Sequence, residues 1–137
     1  MIELSQFYMG RDKTHAHILG SDLRANASRT VEAANKLLTL AKGAGVQLKP
    51  GQWGMVRSGW RPPDINGATK GASKTSLHMQ CLAVDLEDVD RSLARWCFAN
   101  QNVLRDLALW LEHPDATPSW CHVQLKPPGS GNRVFRP

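Results

Sequence analysis

Apolar residues recur at spacings of three and four positions between Asp22 and Lys42. This period places the apolar side chains along one face of a helix, so the segment is predicted to form an amphipathic helix. The Gly-Ala-Gly sequence at 43–45 predicts where that helix ends. Residues 1–20 are polar and show no sustained period, so they are expected to be irregular.

Three short segments have strand character: residues 55–58, 82–86 and 120–125. Successive side chains of a strand point to opposite faces of the sheet. Asp85 and His122 therefore lie on the face opposite to the apolar side chains of their own segments. Each of these two strands is expected to have a core face and a polar face. If the strands are neighbours, Asp85 and His122 face one cleft.

Two further helices are predicted between these strands. Asp90 can cap a short helix that ends near Phe98, and Asn102 can cap a second helix that ends near Glu112. The remaining segments are rich in Gly and Pro and are expected to be loops. Helices and strands mix without a regular strand–helix–strand order. The pattern therefore predicts a single domain over residues 1–137, of the α+β class, with a small antiparallel sheet and flanking helices.

Charge and composition restrict the choice of partners. The net charge is +5 with a pI near 9.5, which suits acidic partners such as cell-wall polymers. The basic residues are scattered and do not alternate with aromatic residues, so nucleic acid is not expected as a partner. No apolar stretch approaches the roughly 20 residues that a membrane span requires. The chain is expected to be a monomer.

The cysteines and the N-terminal residues indicate the cellular compartment in which the protein is made. Cys81, Cys97 and Cys121 are odd in number and form no CxxC pair, which argues against disulfides and a thiolate zinc site. They are expected to be buried free thiols. Residues 1–13 lack a basic start followed by an apolar run, so no signal peptide is expected, and synthesis in the cytoplasm is predicted.

A carboxylate inside the apolar run of residues 82–86 needs a compensating partner, because an unpaired buried charge is costly. His78, Asp85 and His122 together form a three-ligand set that suits catalytic zinc, with the fourth position open for water. The alternative is structural: Asp85 pairs with an arginine, and the two histidines are ordinary hydrogen-bonded or surface side chains.

The stretch SLHMQCLAVDL (76–86) resembles the Ser-x-His-x-x-Gly-x-Ala-x-Asp signature of the zinc D-Ala-D-Ala carboxypeptidases. Phage endolysin peptidases and the signalling domain of Hedgehog proteins share the fold of that family. Cys81 stands where glycine is usual. VRSGWRP (56–62) resembles the family's Ser-Gly-aromatic-Arg stretch, and SWCHVQ (119–124) resembles the strand that carries the third metal ligand. The three blocks occur in the family's order.

The resemblance implies a Hedgehog/DD-peptidase-like zinc domain in which His78, Asp85 and His122 bind Zn²⁺. It also implies that Arg61 binds the substrate carboxylate or the oxyanion, a role that suits its planar fork of donors. Ser76 is expected to bind substrate or to orient the ligand loop. For Arg61 and Ser76 the alternatives are a surface arginine and a turn or cap serine.

Two acidic side chains are candidates for the catalytic base. Many relatives carry an acid three residues before the last histidine ligand, where this chain has Ser119. Glu112 is the favoured base because it follows an apolar segment, and apolar surroundings raise a carboxyl pKa. Asp115, in a proline-bounded loop, is the alternative. His113 is a further candidate for proton relay. His15, like its neighbour at position 17, is expected at the surface.

The resulting hypothesis is a zinc peptidase that cleaves peptidoglycan stem peptides, as a D,D-carboxypeptidase or an endopeptidase. A phage-type lytic enzyme is expected, acting on the bacterial cell wall after release or as a virion component. Two other hypotheses stay open. The first is a non-catalytic zinc-containing module of the same fold, and the second is a basic nucleic-acid-binding domain without metal.

Overall fold

The computed structural model describes residues 1–137 and shows an α+β fold, as predicted. The helices are α1 (Leu4–Tyr8), α2 (Arg11–Thr14), α3 (Ser21–Gly43), α4 (Pro63–Ala68), α5 (Ser92–Ala99) and α6 (Gln101–Asp106). The strands are β1 (Val56–Ser58), β2 (Ala83–Glu87), β3 (Trp110–Glu112), β4 (Trp120–Gln124) and β5 (Val134–Phe135). Two 3₁₀ turns, Leu77–Gln80 and Pro114–Ala116, precede β2 and β4.

The five strands form one sheet in the order β1-β2-β4-β3-β5. The first four strands of that order are antiparallel to their neighbours, as predicted. The fifth, β5, lies parallel to β3, with Leu111 opposite Val134, so the sheet is mixed. This strand comes from the C-terminal segment, which was expected to be loop, and its two residues are too few to show alternation.

Helix α3 matches the helix predicted from the period of apolar residues. One face of it is buried, and Leu37 and Leu38 are fully inaccessible to solvent. The helix joins the sheet in a single hydrophobic core, to which Val84 and Leu86 contribute from the core face of β2. None of the helices combines the length and the apolar character that crossing a bilayer requires. All three cysteines are buried and free, as predicted.

The N-terminal segment is ordered, and the prediction that residues 1–20 are irregular is wrong. Helices α1 and α2 have five and four residues, which is too short for a helical period to be visible in the sequence. Phe7 and Tyr8 of α1 are buried. Both residues contact Trp60: the Trp60 amide donates to the Phe7 carbonyl (3.0 Å), and the Trp60 ring lies edge-on to the Tyr8 ring. The segment therefore supports the loop that carries Arg61.

The helix predicted from Asn102 to Glu112 is also wrong in its second half. Helix α6 ends at Asp106, and Ala108 adopts a left-handed conformation (φ 54°). The amide of Leu109 then donates to the carbonyl of Leu104, as in a helix C-terminal motif. The next residues form β3. Over so short a segment, apolar residues that alternate along a strand also satisfy a helical stripe, so the period could not separate the two.

Helix α5 begins near the predicted cap. The Asp90 side chain accepts from the amide of Ser92 (3.1 Å), and the buried Asp88 carboxylate accepts from the amides of Leu93 (2.9 Å) and Ala94 (2.8 Å). Two acidic side chains thus satisfy the free N–H groups of the first turn. Asp88, which directly follows β2, thereby links the end of that strand to the start of the helix.

Candidate functional site

Strands β2 and β4 bring Asp85 and His122 together. The two residues are directly opposite in the antiparallel register, within five consecutive pairs from Ala83–Gln124 to Glu87–Trp120. His122 Nδ1 lies 2.7 Å from Asp85 Oδ1, and each side chain is only 13% exposed. The shared polar face predicted for these two residues is therefore observed.

His78 approaches the same point from the 3₁₀ turn that precedes β2. The Ser76 hydroxyl accepts from the His78 amide (3.2 Å) and so caps the turn at its start. Cys81 ends the turn in a left-handed conformation (φ 57°), which costs little for glycine and more for other residues. This conformation explains why glycine is usual at the position, and the Cys81 carbonyl is held by Thr30 (2.6 Å).

The three side chains form a group that could hold a metal ion. One ligand atom from each of His78, Asp85 and His122 lies within 4.8 Å of the others. His78 Nδ1 is 2.8 Å from the carbonyl of Gly59, which can only accept, so Nδ1 carries a proton and Nε2 is the ring nitrogen that faces the group. That Nε2 lies 3.4 Å from Asp85 Oδ2. Two imidazoles and one carboxylate suit zinc with an open fourth position.

The charges of this group stabilise one another. Burial alone would raise the pKa of Asp85, but the charges and hydrogen bonds of His78 and His122 hold that pKa well below its usual range. Burial alone would lower the pKa of His122, whereas its hydrogen bond to Asp85 raises that pKa above the ordinary value. The carboxylate is therefore ionised and paired, as a metal-ligand set requires.

These residues lie in a cleft of about 740 Å³. Its basic, aromatic and acidic lining includes Arg61, Lys126, Trp120, Phe135 and Glu112. Trp120 begins β4, and the Phe135 ring lies edge-on to His122 at 6.2 Å. The cleft is large enough for a peptide segment, because ligand sites typically measure about 300–1,000 Å³.

Arg61 lies in this cleft and is held by the turn that carries His78. Its backbone amide donates to the His78 carbonyl (3.2 Å), and its Nη2 donates to the Ser76 hydroxyl (3.1 Å). Burial lowers the pKa of Arg61, while the Asp85 charge acts in the opposite direction. Its Nε is buried and has no hydrogen-bond partner. Ser76 thus connects Arg61 to the ligand turn.

Glu112 lies on β3, which pairs with β4, and its side chain lines the cleft. It is on a strand and not at the end of a helix, so the placement assumed for it from the sequence is wrong. Burial raises the pKa of Glu112, Asp85 adds to that rise, and His122 opposes it. Asp115 instead projects from an exposed turn, where it pairs with Arg136 (3.4 Å), and it does not line the cleft.

A sequence profile of the Peptidase M15 family matches residues 14–114 of this chain. The chain belongs to the Peptidase M15 family. It is thus a metallopeptidase of a zinc-dependent family of D-Ala-D-Ala peptidase-type hydrolases, as predicted, and a peptide substrate follows from that membership. No curated protein and no solved structure shows a significant match to the chain. His122 lies beyond the matched residues and joins the site through the register of β2 and β4.

The other histidines of this M15 peptidase lie outside the cleft lining. His15 Nε2 bonds Asp64 (3.0 Å), and its ring stacks on that of His17. His113 contacts Phe98 and accepts a hydrogen bond from the Asp115 amide (3.1 Å). These contacts give the three histidines no place in the metal group.

Two residues of the M15 site region have no role assigned by the sequence motifs. Gly59 supplies the carbonyl that fixes His78, and Gln124 lies 2.8 Å from the second ring nitrogen of His122. The Gly59 contact joins residues 19 positions apart and depends on tertiary structure, whereas the Gln124 contact is local to β4. The position of Gln124 on the polar face of β4, two residues after His122, was the one available signal.

Proposed function

We propose that this M15 peptidase is a zinc enzyme that hydrolyses the peptide stems of bacterial peptidoglycan, as a D,D-carboxypeptidase or an endopeptidase. The observation that carries the proposal is the convergence of a metal-ligand group, a half-buried arginine and a half-buried glutamate in one cleft. Metal-assisted peptide hydrolysis requires a metal ion, a cationic side chain that binds the developing negative charge, and a general base.

His78 through Nε2, Asp85 through its carboxylate and His122 through Nδ1 are the proposed zinc ligands. When bound, the zinc supplies Lewis acidity that makes water nucleophilic near neutral pH. The fit rests on the chain itself: the three ligand atoms are clustered, and the Gly59 carbonyl engages Nδ1 of His78, so that Nε2 faces the other two ligands. The cleft leaves the group accessible to a substrate.

Arg61 is proposed to bind the substrate carboxylate or the oxyanion that forms at the scissile carbonyl. Only one hydrogen bond of its guanidinium, the bond to Ser76, is made within the protein. The other donors of the planar fork are available to two oxygens at once, which a carboxylate offers. Ser76 is proposed to orient Arg61 and the ligand turn together.

Glu112 is proposed as the general base. A base must hold a proton in one step and release it in the next, so its pKa should lie close to the working pH. Partial burial on β3 raises the Glu112 pKa in that direction. The carboxylate takes a proton from the attacking water and then delivers it to the amine that leaves. Asp115 is a poor candidate because it is exposed and paired with Arg136.

A phage-type lytic role is proposed for this activity, with action at the bacterial cell wall after release or as a virion component, and with a monomer as the active form. The support is the net charge of +5, since a basic surface is attracted to an anionic envelope. Binding to isolated anionic cell walls that weakens as salt is added would support this role.

A second candidate is a zinc-containing module that binds cell wall without cutting it. The observation that favours it is Ser119, which stands where many relatives carry an acid. Purified protein should be assayed for release of new amino groups from peptidoglycan, with and without a chelator, together with its zinc content. Chelator-sensitive release supports the peptidase. Stoichiometric zinc without any release would support the binding module, and absence of zinc would contradict both.

A further inference from the structure

Gln124 is a buried polar residue beside the metal group. Its side chain is on the same face of β4 as His122, and the residue is 7% exposed. It makes two short hydrogen bonds: Nε2 donates to the carbonyl of Lys126 (2.7 Å), and Oε1 lies 2.8 Å from His122 Nε2. A buried amide that is bonded at both ends is fixed in orientation.

The Lys126 carbonyl decides which way this amide points. A carbonyl oxygen can only accept, so the NH₂ group of Gln124 must face it. The amide oxygen then faces His122, and an acceptor at 2.8 Å requires a proton on Nε2 of that ring. The other nitrogen, Nδ1, is the atom that faces Asp85.

The two histidine rings therefore present different nitrogens to the metal group: Nε2 of His78 and Nδ1 of His122. The Gly59 carbonyl holds a proton on Nδ1 of His78 and leaves its Nε2 for the metal. We propose that Gln124 is the matching positioning residue for His122: it holds the proton on Nε2, so that Nδ1 is the metal-binding atom. This inference rests on the proposed zinc site and adds how one of its ligands is oriented.

The Gln124 side chain matters because Asp85 favours the other tautomer of His122. An Oδ1 atom 2.7 Å from Nδ1 favours a proton on Nδ1, which would occupy the lone pair that a metal needs. The Gln124 oxygen supplies an acceptor on the opposite side of the ring and so favours the tautomer that leaves Nδ1 free. Partners of this kind typically change metal affinity by about 10- to 100-fold when they are removed.

The test compares Gln124→Met, which keeps the size and removes both hydrogen bonds, with Gln124→Glu, which keeps an acceptor oxygen toward the ring. Gln52→Met is the matched control, since Gln52 is exposed and outside the cleft. Zinc affinity is measured by competition with a chromogenic chelator. Gln124→Met should bind zinc about 10- to 100-fold more weakly. Gln124→Glu should recover most of that loss, and the control should match the unmodified protein.

Nitrogen NMR of the His122 ring in the zinc-loaded, unmodified protein gives a readout that does not depend on any variant folding. The proposal expects a proton on Nε2 and none on Nδ1. Zinc bound through Nε2, or unchanged zinc affinity in Gln124→Met, would overturn it, as would a protein that takes up no zinc. Zinc binding with the expected tautomer but without peptidoglycan hydrolysis would support the role of Gln124 and count against the proposed enzyme.

Discussion

Asp85 and His122 occupy directly opposed positions of two antiparallel strands, with His122 Nδ1 2.7 Å from Asp85 Oδ1. Sheet hydrogen bonds hold both backbones in place, so replacing either side chain should leave the strands paired. The effect of losing a metal ligand can therefore be measured separately from the effect of unfolding.

Replacing any one of His78, Asp85 or His122 by Ala should remove most of the bound zinc, because two protein ligands hold zinc much more weakly than three. Metal analysis of the purified variants, alongside circular dichroism to check folding, measures this. His15→Ala is the control, since His15 contacts Asp64 and lies outside the cleft lining, and it should keep one zinc. Full zinc occupancy in His122→Ala would show that the ligand set is wrong.

Stability of the metal-free protein should depend on pH through the same pair. Asp85 has a lowered pKa, so its contribution is present above the ordinary value of 3.8 and is lost as the pH falls through its folded value. His122 has a raised pKa, so its contribution is present below 6.5 and is lost as the pH rises through its folded value. The Asp85–His122 pair therefore stabilises the metal-free fold most between pH 3.8 and pH 6.5, the ordinary pKa values of the two groups.

Thermal unfolding in the presence of a chelator should accordingly give a higher melting temperature near pH 6 than near pH 8.5. Added zinc should have the larger effect at the higher pH, because the metal competes with protons for the histidine ligand. Asp85→Asn removes the charge that raises the His122 pKa and should flatten the dependence of the metal-free protein. A metal-free protein more stable near pH 8.5 would contradict the pairing.

Glu112→Gln should keep the fold and the zinc yet lower the hydrolysis rate by about 10²- to 10⁴-fold, the usual contribution of a general base. The acidic limb of the pH–rate profile should also change. A base is inactive when protonated, and burial of Glu112 moves that limb above the ordinary glutamate value of 4.5.

Asp115→Asn is the matched control for the proposed base, because it removes a carboxylate that is nearby in sequence but exposed and outside the cleft. Its rate should stay close to that of the unmodified enzyme. If Asp115→Asn were the damaging change, the turn before β4 would carry the base. Normal rates in both variants would remove the carboxylate base from the mechanism.

The sequence predicted that Asp85 and His122 share one face, and it predicted the surroundings of the proposed base, Glu112, poorly. Two strands of five residues show alternation, so the shared face of Asp85 and His122 could be inferred from local pattern. Strand β3 has three residues in an apolar segment, where strand and helix patterns coincide. Glu112 was therefore favoured as the base on a placement that the structure corrects, and its position in the cleft follows from the pairing of β3 with β4.

The roles of Gly59 and Gln124 illustrate a different limit. Each acts through an oxygen that accepts from a histidine, and the Gly59 carbonyl is 19 residues from its partner in sequence. The Gly59 contact depends on the tertiary arrangement of the loop after β1 and the turn before β2, whereas Gln124 is two residues from His122 on β4 and is recognised only once its hydrogen bond is seen. A motif that records only side-chain types cannot reveal a backbone carbonyl as a functional group.

Arg61→Lys should lower turnover strongly while zinc content and melting temperature stay nearly unchanged. Lysine keeps the charge but loses the planar fork that binds two oxygens together. Steady-state kinetics on a peptidoglycan-derived peptide, together with metal analysis and thermal unfolding, separates the two effects. Ser76→Ala should cause a smaller loss, because it removes one contact that orients Arg61. A large loss of stability with intact turnover would instead make Arg61 structural.

Gly59→Ala should damage the fold and the site together. A β-carbon at this position would lie 1.9 Å from the Phe7 carbonyl oxygen, a backbone atom that cannot rotate away. Because that carbonyl also accepts from the Trp60 amide, relief of the clash must shift the loop whose own carbonyl orients His78. Overpacking of this kind typically costs about 1–3 kcal/mol in the free energy of unfolding.

The free energy of unfolding, measured with denaturant, and the zinc affinity should therefore both fall in Gly59→Ala. Gly67→Ala is the matched control: Gly67 lies in helix α4, and a β-carbon there meets no atom within 4 Å. Alanine is the better helix former by about 1 kcal/mol, so the control should be neutral or slightly stabilising. If Gly59→Ala lowered stability but left zinc affinity unchanged, the Gly59 carbonyl would not be the group that holds His78 in position.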